Sequence, residues 1–407
     1  MKLFNYYVCI MMLGVLCFPT YAAMSDFSIT RSEVIFDESE SLNPSPVKAD
    51  NGDLICALGE TGDAAAGGRL RFVRSTNDGA TWNETPYLIM TSRHGEVGSI
   101  FGYLSKAPNG NIVLAVTDVN AAGEIYQYTS EIKIYISTDN GQTFPLQPLA
   151  VVPTNPINGN WPSSPVRFLS NGDWILPGYY RDNVGGVDFP CGFWRSTNSG
   201  ATWTAHELAF PSDYRAFNEI DIVARADNSL LAVARTDVID SGFEYAKGQL
   251  FYTESSDQGH TWTVPQLVGI PGHSPSLIRW SDGTIMLGCR RLSAGGNFTS
   301  VYIAEDGVHF LSAFNAVEPR SNRTSGTGYP VFTQLNSKDI YMAWYAGDST
   351  LSWPDKTYCA GNVIHNIYGI TGCGDWGYLK SDLDRNCRVN FKDFGILANN
   401  WLLSTNP

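Results

Sequence analysis

The stretch Ser75-Thr-Asn-Asp-Gly-Ala-Thr-Trp82 returns along the chain and decides its fold. Three further copies and a weaker fifth copy read Ser137-Thr-Asp-Asn-Gly-Gln-Thr-Phe144, Ser196-Thr-Asn-Ser-Gly-Ala-Thr-Trp203, Ser255-Ser-Asp-Gln-Gly-His-Thr-Trp262 and Ile303-Ala-Glu-Asp-Gly-Val-His-Phe310. The copies start at positions 75, 137, 196, 255 and 303, so the spacings are 62, 59, 59 and 48 residues. A recurrence of this period indicates one supersecondary unit that is used repeatedly.

Each copy has the chemistry of a hairpin turn, because Asp or Asn beside Gly supplies side-chain hydrogen bonds and a residue that accepts positive φ. A short apolar or alternating run precedes most copies, as in Ile132-Lys-Ile-Tyr-Ile136. Further upstream lies a second Asn/Asp-Gly turn with its own strands, as in Val166-Arg-Phe-Leu-Ser-Asn-Gly-Asp-Trp-Ile-Leu176. The pattern predicts four antiparallel strands in each unit.

Four-stranded units repeated around an axis form a propeller. The upstream turns predict six blades that begin near residues 44, 100, 162, 218, 273 and 328. The last unit lacks the repeated phrase but keeps a strand pair around Val331 to Ala346, and a strand from Ser28 to Phe36 is expected to close it. The sequence therefore predicts an all-β fold, a six-bladed β-propeller of four-stranded antiparallel blades over residues 28–358, with a short C-terminal loop-helix tail.

The N-terminal residues predict export. An apolar run from Tyr6 to Phe18 precedes small residues, which is typical of a signal peptide over residues 1–23 that is cleaved near Ala22 or Ala23. The run is too short to span a membrane, so we expect a secreted chain, extracellular or periplasmic, without a transmembrane segment. The net charge of −13 argues against a nucleic-acid partner. The abundance of Asn, Gly, Trp and Tyr suits a surface that binds glycan, and a closed propeller can be a monomer.

The cysteines fall into two groups. Cys56, Cys191 and Cys289 lie in different blades, and we expect each to be a buried single thiol. Cys359, Cys373 and Cys387 cluster near the end, and in an exported protein one disulfide is expected among them.

The last residues change character after about 358, which predicts a linker over 359–377 and a small module over 378–407. A twelve-residue loop there places side-chain oxygen ligands at positions 1, 3, 5, 9 and 12, with the backbone carbonyl of Arg388 at position 7: Asp382, Asp384, Asn386, Asn390 and Asp393. This pattern is typical of a structural Ca²⁺ site, although Cys387 replaces the usual Gly and the last ligand is Asp. The segment resembles half of a dockerin module, which implies a cohesin-like or cell-surface partner. The alternative is a capping tail without metal.

The repeated phrase is the Asp-box, and with six blades the chain resembles the sialidase (neuraminidase) superfamily over residues 35–350. The resemblance implies an exo-glycosidase that removes terminal sialic-acid-like residues with retention, needing no cofactor for catalysis. A carboxylate nucleophile would be repelled by a sugar whose anomeric carbon carries a carboxylate, whereas a Tyr activated by a nearby Glu avoids that repulsion. A separate acid protonates the leaving oxygen, and arginines bind the substrate carboxylate.

The resemblance implies roles for particular residues. Glu219 and Arg235 lie 16 residues apart around a turn, and they match the Tyr-activating Glu and one substrate-binding arginine. Tyr329 opens the last blade, where the family has its nucleophile, and Asp63 lies in the Gly/Ala loop that carries the acid/base Asp. The alternatives are a structural Glu219–Arg235 ion pair, a Tyr329 that is only a strand aromatic, and a solvated Asp63.

Two arginine positions depart from the family pattern. The first blade of the family opens on Arg-Ile-Pro, but this chain has Leu42-Asn43-Pro44. In the fifth blade, Arg291 is the candidate for a further substrate-binding arginine. Arg69 and Arg181 are candidates to replace the missing one. Three hypotheses follow: a sialidase, a glycosidase of the same fold that acts on another terminal sugar without the carboxylate, and a non-catalytic propeller that binds glycan or protein.

Overall fold

The computed structural model describes residues 27–37, 41–60, 67–83, 85–120, 129–153, 160–180, 190–210, 215–237, 248–292, 297–304, 307–319, 323–348 and 357–366. These residues form six antiparallel sheets, and each sheet has a main path of four strands. The predicted six-bladed propeller is confirmed. The signal peptide, Asp63, Arg181, the calcium loop with its ligands, and the loop-helix tail lie outside the described residues and stay predictions.

The strands follow the blades in chain order, after an N-terminal strand β1 at Phe27–Phe36. Blade 1 contains β2 Ser41–Lys48, β3 Leu54–Glu60, β4 Arg69–Ser75 and β5 Leu88–Thr91, and blade 2 contains β6 Gly98–Lys106, β7 Ile112–Asn120, β8 Thr129–Ser137 and β9 Ala150–Val152. Blade 3 has an innermost strand in two pieces, and it contains β10 Asn160–Pro162, β11 Arg167–Phe168, β12 Trp174–Tyr180, β13 Cys191–Ser196 and β14 Thr204–Glu207. Blade 4 contains β15 Arg215–Ala224, β16 Leu230–Asp237, β17 Gln249–Ser255 and β18 Gln266–Leu267. Blade 5 contains β19 Gly272–Arg279, β20 Ile285–Arg291, β21 Phe298–Ala304 and β22 Leu311–Asn315. Blade 6 contains β23 Arg323–Gln334, β24 Asp339–Asp348 and β25 Thr357–Asn366.

The two ends of the propeller close in blade 6, whose strand order is β1-β25-β24-β23. Strand β1 pairs with β25 from Phe27 opposite Asn366 to Phe36 opposite Cys359, as expected for the strand from Ser28 to Phe36. The boundary placed after residue 358 is wrong, because β25 continues to Asn366 and residues 359–366 belong to the propeller rather than to a linker. No Asn/Asp-Gly turn and no Asp-box adjoins strand β25 in the sequence, so no local signal indicates it.

Each complete Asp-box is stabilised by hydrogen bonds between its own side chains and its own backbone. The first serine accepts a hydrogen bond from the glycine N–H four residues later, at 2.9 Å for Ser75 and Gly79 and 2.8 Å for Ser137 and Gly141. The third residue accepts a bond from the threonine N–H, at 2.8 Å for Asp257. These local bonds satisfy the backbone of a tight turn, so the short sequence alone forms it.

An arginine from the preceding blade contacts four of the five Asp-boxes. Four guanidinium groups donate to a carbonyl in the next box: Arg31 to Asp78, Arg74 to Asn140, Arg195 to Gln258 and Arg225 to Gly307. Between blades 3, 4 and 5, Arg167 binds the buried Asp221 (3.1 Å from Nε) and the Leu277 carbonyl (2.9 Å). Asp221 also accepts from the Leu277 N–H at 2.6 Å. These bonds fix the inner strands that carry the site described below.

The Asp-box glycine of blade 1 provides a test of this packing. A Cβ on Gly79 would lie 2.4 Å from the ring of Tyr341, which is fully buried in blade 6, whereas a Cβ on Gly52 would meet nothing within 4 Å. Both glycines have positive φ, +78° and +91°, so both alanine variants carry backbone strain of about 1–2 kcal/mol. We expect Gly79→Ala to lower the free energy of unfolding by a further 1–3 kcal/mol, roughly, through overpacking. Urea unfolding of both variants measures the difference, and equal losses would contradict the close contact.

The buried cysteines match the expectation for the blades. Cys56, Cys191 and Cys289 are buried free thiols, and burial raises the pKa of each. Cys359 is also a buried free thiol, inside β25 rather than in a tail, so it is not part of the disulfide expected among the three last cysteines. Cys373 and Cys387 lie outside the described residues. No helix within the described ranges is long and apolar enough to cross a membrane.

Candidate active site

The innermost strands of four blades share one irregularity. Strands β2, β15, β19 and β23 each shift register near their beginning. At these bulges four non-glycine residues have positive φ: Asn43 (48°), Glu219 (37°), Ser274 (53°) and Tyr329 (48°). Such backbone is uncommon outside glycine and is often retained at functional sites. The bulges therefore mark one end of the inner strands as the candidate site.

Glu219 and Tyr329 meet at this end although 110 residues separate them. The Tyr329 hydroxyl donates a hydrogen bond to Oε1 of Glu219. The other carboxylate oxygen, Oε2, lies 2.8 Å from Arg235 Nη1 and accepts from Ser274, at 2.8 Å from the backbone N–H and 3.1 Å from Oγ. Three blades thus supply one phenol, one carboxylate and the groups that hold that carboxylate.

The surroundings keep Glu219 ionised. The side chain is almost fully buried, with 4% of the residue exposed. Burial alone would raise the pKa of the carboxyl, but Arg235, His273 and the hydrogen bond from Tyr329 outweigh it and lower that pKa to about 2. Glu219 is therefore a carboxylate at neutral pH, and in this form it accepts the hydrogen bond from the Tyr329 hydroxyl.

A second guanidinium lies beside the phenol. Arg290 donates from Nε to the Thr327 carbonyl at 2.6 Å and from Nη2 to the Tyr345 hydroxyl. The guanidinium carbon Cζ of Arg290 lies 5.5 Å from the Tyr329 ring centroid and 5.9 Å from the Tyr345 ring centroid. The two rings stack at 5.8 Å and 24°. Burial works against the charge of Arg290, but both phenols and Glu219 raise its pKa.

Arg291 is placed differently from its neighbour. Successive side chains of a strand point to opposite faces, so Arg291 lies on the face of β20 away from Arg290 and Tyr329. On that face its positive charge is close enough to Cys289 and Tyr302 to oppose the rise of their pKa values on burial. Arg291 is exposed. The structure therefore brings Glu219, Arg235 and Tyr329 together and adds Arg290, while Arg291 lies outside this group. Asp63 lies outside the described residues.

Blade 1 presents no guanidinium at the position where the resemblance expects one. Leu42 is 4% exposed and packs in an apolar cluster that includes Phe36, Tyr345 and Tyr329. The next residue, Asn43, occupies the bulge. Arg69, a candidate replacement, binds Glu60 through Nε at 2.5 Å and Nη2 at 2.9 Å. Its charge is thus already paired at the edge of blade 1.

Ser274, His273, Tyr345 and Arg290 complete the site but were not selected from the sequence. One signal was present: Asn43, Ser274 and Tyr329 each precede a proline near the start of an inner strand. For the titratable members no comparable signal exists, because their role depends on contacts between blades 4, 5 and 6. Among the described residues no group of three or more His, Cys, Asp or Glu side chains is arranged to hold a metal ion.

Comparison with solved structures places this geometry on a known fold. A protein of unknown function from Dyadobacter fermentans matches with a TM-score of 0.68 and 18% identity, over 84% of this chain and 99% of that one. A leech intramolecular trans-sialidase matches with a TM-score of 0.60 and 16% identity, over 83% and 70%. An alpha-L-arabinofuranosidase from Fusarium graminearum matches with a TM-score of 0.59 and 14% identity, over 83% and 98%. At these identities the matches show a shared fold, which is that of the sialidases.

A search among curated proteins found no match to this sequence. The family described as BNR repeat-like domain matches residues 99–342, which is more than half of the chain and covers blades 2 to 5 with part of blade 6. The matched region includes Glu219, Arg235 and Tyr329. This protein belongs to the BNR repeat-like domain family and has the six-bladed propeller of the sialidase fold.

Proposed function

We propose that the protein is a glycoside hydrolase that releases a terminal sugar from a glycan with retention of configuration. The observation that carries this proposal is the hydrogen bond from the Tyr329 hydroxyl to a Glu219 carboxylate that Arg235 and Ser274 hold in place. A glycan-binding propeller has no need of a buried carboxylate aimed at a phenol. A structural ion pair would explain Arg235 and Glu219, but it would not explain the strained φ of Tyr329.

The proposed reaction uses two displacements. In the first, the Tyr329 oxygen bonds to the anomeric carbon while Glu219 accepts the phenol proton, and Asp63 protonates the departing glycosidic oxygen. In the second, water attacks the anomeric carbon, Asp63 accepts a proton from that water, and the bond to the Tyr329 oxygen breaks as Glu219 returns the proton. Two inversions give net retention.

The first candidate substrate is a sialoside. The net positive charge around the phenol supports a sialoside, because Arg235 and Arg290 carry two positive charges and Glu219 carries one negative charge. Arg235 is the proposed contact for a substrate carboxylate, and the sialidase fold of the chain is compatible with this assignment. Arg291, which sequence analysis also selected, is not proposed as a contact, because it lies on the other face of β20. The exported, acidic chain with its calcium-loop tail would then act outside the cytoplasm, attached through that tail to a cohesin-like or cell-surface partner.

The second candidate is a terminal sugar without a carboxylate, and blade 1 favours it. Buried Leu42 stands where the resemblance expects an arginine, and Arg69 is already paired with Glu60. Loss of one charged hydrogen-bonding contact to a substrate carboxylate costs roughly 1.5–3 kcal/mol. The Fusarium neighbour named as an arabinofuranosidase supports this candidate, because its fold accommodates a sugar of another class.

A panel of fluorogenic glycosides separates the two candidates. We expect turnover of at least one exo-linked glycoside, and the preferred sugar identifies the substrate class. Sialosides that are cleaved at least about tenfold faster, in kcat/KM, than pentosides and neutral hexosides would support the first candidate, and the reverse order would support the second. The anomer released first, followed by proton NMR, is expected to keep the substrate configuration. An inverted product would contradict the Tyr329 displacement, and no turnover across the panel would favour a binding propeller.

A further inference from the structure

The proposed reaction has an energetic difficulty at its first step. A phenol ordinarily loses its proton near pH 10, whereas the carboxylate that accepts the proton has its pKa lowered to about 2. Proton transfer from Tyr329 to Glu219 is therefore strongly uphill unless another group favours negative charge on the phenol oxygen. Arg235 cannot meet this need alone, because it binds the Glu219 oxygen that does not face Tyr329.

Among the residues that the structure describes, the charged and titratable groups packed around the phenol come from five strands. They are Glu219 on β15, Arg235 on β16, His273 on β19, Arg290 on β20 and Tyr345 on β24. Of the two arginines among these groups, Arg290 is the one whose charge lies over the Tyr329 ring, and it forms no ion pair with the carboxylate.

We propose that Arg290 is a positioning residue that holds the Tyr329 ring toward Glu219 and supplies positive charge to the phenol, and that it does not bind the substrate. This inference rests on the proposed function. The hydrogen bond from Nε to the Thr327 carbonyl fixes the guanidinium to the strand that carries Tyr329, two residues before the phenol. The bond from Nη2 to the Tyr345 hydroxyl is a second bond that holds the guanidinium, next to the one from Nε. With Nε and Nη2 both engaged inside the protein, the Nε–Nη2 edge of the guanidinium is not free to clamp a substrate.

Glycine makes this arrangement possible. A Cβ on Gly328 would lie 2.6 Å from Arg290 Nε and 2.9 Å from Nη2, so the guanidinium lies directly against the backbone that precedes Tyr329. The stacked rings of Tyr329 and Tyr345 and the cation beside them then form one cluster. A desolvated cation over an aromatic face is attracted to it, and an opposite charge nearby favours the ionised phenol.

The first test follows the phenol without any substrate. Tyrosines labelled with ¹³C at Cζ are titrated by NMR, and the Tyr329 signal is the one absent from Tyr329→Phe. In Arg290→Met we expect the Tyr329 signal to titrate at higher pH than in the unchanged protein, with Arg290→Lys in between. Arg279→Met, which removes an exposed charge at the far end of blade 5, is the control and should leave the titration unmoved. An unchanged Tyr329 titration in Arg290→Met would overturn the proposal.

The second test uses the glycoside that the panel identifies. We expect Arg290→Met to lower kcat by about 10- to 30-fold with little change in KM, since about 2 kcal/mol of interaction with a desolvated cation corresponds to this factor. Arg290→Lys should recover part of the loss. A rise in KM with kcat unchanged would mean that Arg290 binds the sugar and would overturn the proposal. If no glycoside is hydrolysed, the proposed function fails, and the NMR titration still decides the role of Arg290. Should Arg290→Met not fold, the comparison is made with Arg290→Lys alone.

Discussion

Replacement of Tyr329 with phenylalanine is expected to lower kcat on the responsive glycoside by on the order of 10³-fold or more. The variant keeps the ring that stacks on Tyr345 and loses only the hydroxyl that donates to Glu219. Without that oxygen, no covalent bond to the sugar can form at this residue. The fold should survive, because the lost bond to a charged acceptor is worth about 1.5–3 kcal/mol.

Initial rates and thermal unfolding of the same samples measure this effect. Tyr103→Phe is the matched control, since Tyr103 is a buried tyrosine on the inner strand of blade 2. We expect the control to retain activity. If Tyr329→Phe keeps more than about a tenth of the activity, the phenol is not the nucleophile.

The identity of the nucleophile has a direct readout. An activated fluorinated glycoside that forms a slow intermediate should add one sugar to the peptide that contains Tyr329, as seen by mass spectrometry. An adduct on the peptide of Glu219 instead would assign the nucleophile to the carboxylate. That outcome is chemically reasonable only for a sugar without its own carboxylate, because like charges repel at the reacting carbon.

Replacement of Glu219 with glutamine is expected to lower the free energy of unfolding at pH 7 by about 3 kcal/mol. Burial opposes ionisation, but Arg235, His273 and Tyr329 lower the pKa of the folded carboxyl to about 2, below its ordinary value of 4.5. The resulting stability is fully present above pH 4.5, and it is lost as the pH falls from 4.5 through about 2. The amide also leaves the Arg235 guanidinium without its counter-charge.

Urea unfolding from pH 7 down to pH 3 checks both the size and the sign of this effect. The difference between the unchanged protein and Glu219→Gln should shrink as the pH falls below 4.5, because the unfolded chain then binds a proton at Glu219 while the folded chain does not until about pH 2. Glu96→Gln, at an exposed position, is the control and should change the free energy of unfolding by less than about 0.5 kcal/mol. A difference of equal size at pH 7 and pH 3 would show that the charge of Glu219 does not stabilise the fold.

The two ends of the propeller show why some boundaries could be predicted and others could not. The turns rich in Asn and Asp between the first two strands placed the beginning of every blade within about five residues, because each turn is satisfied by its own side chains. The strand Thr357–Asn366 was missed: among the described residues it pairs with β24 and with β1, and β1 lies more than 300 residues away in the sequence. Pairing over that distance leaves no local pattern.

The repeated phrase and the turns upstream of it determined the fold class, the number of blades and the inner strands that could carry Glu219, Arg235 and Tyr329. Local hydrogen bonds and the two-residue period of strands are written in short stretches of sequence, so these features need no tertiary information. The tertiary structure alone decided that Arg290 rather than Arg291 lies beside the phenol. It also decided that Ser274 holds the carboxylate and that Leu42 is buried in an apolar cluster. The placement of these side chains depends on which face of each strand packs against the neighbouring blade. That contact forms only when the blades are arranged around the propeller axis.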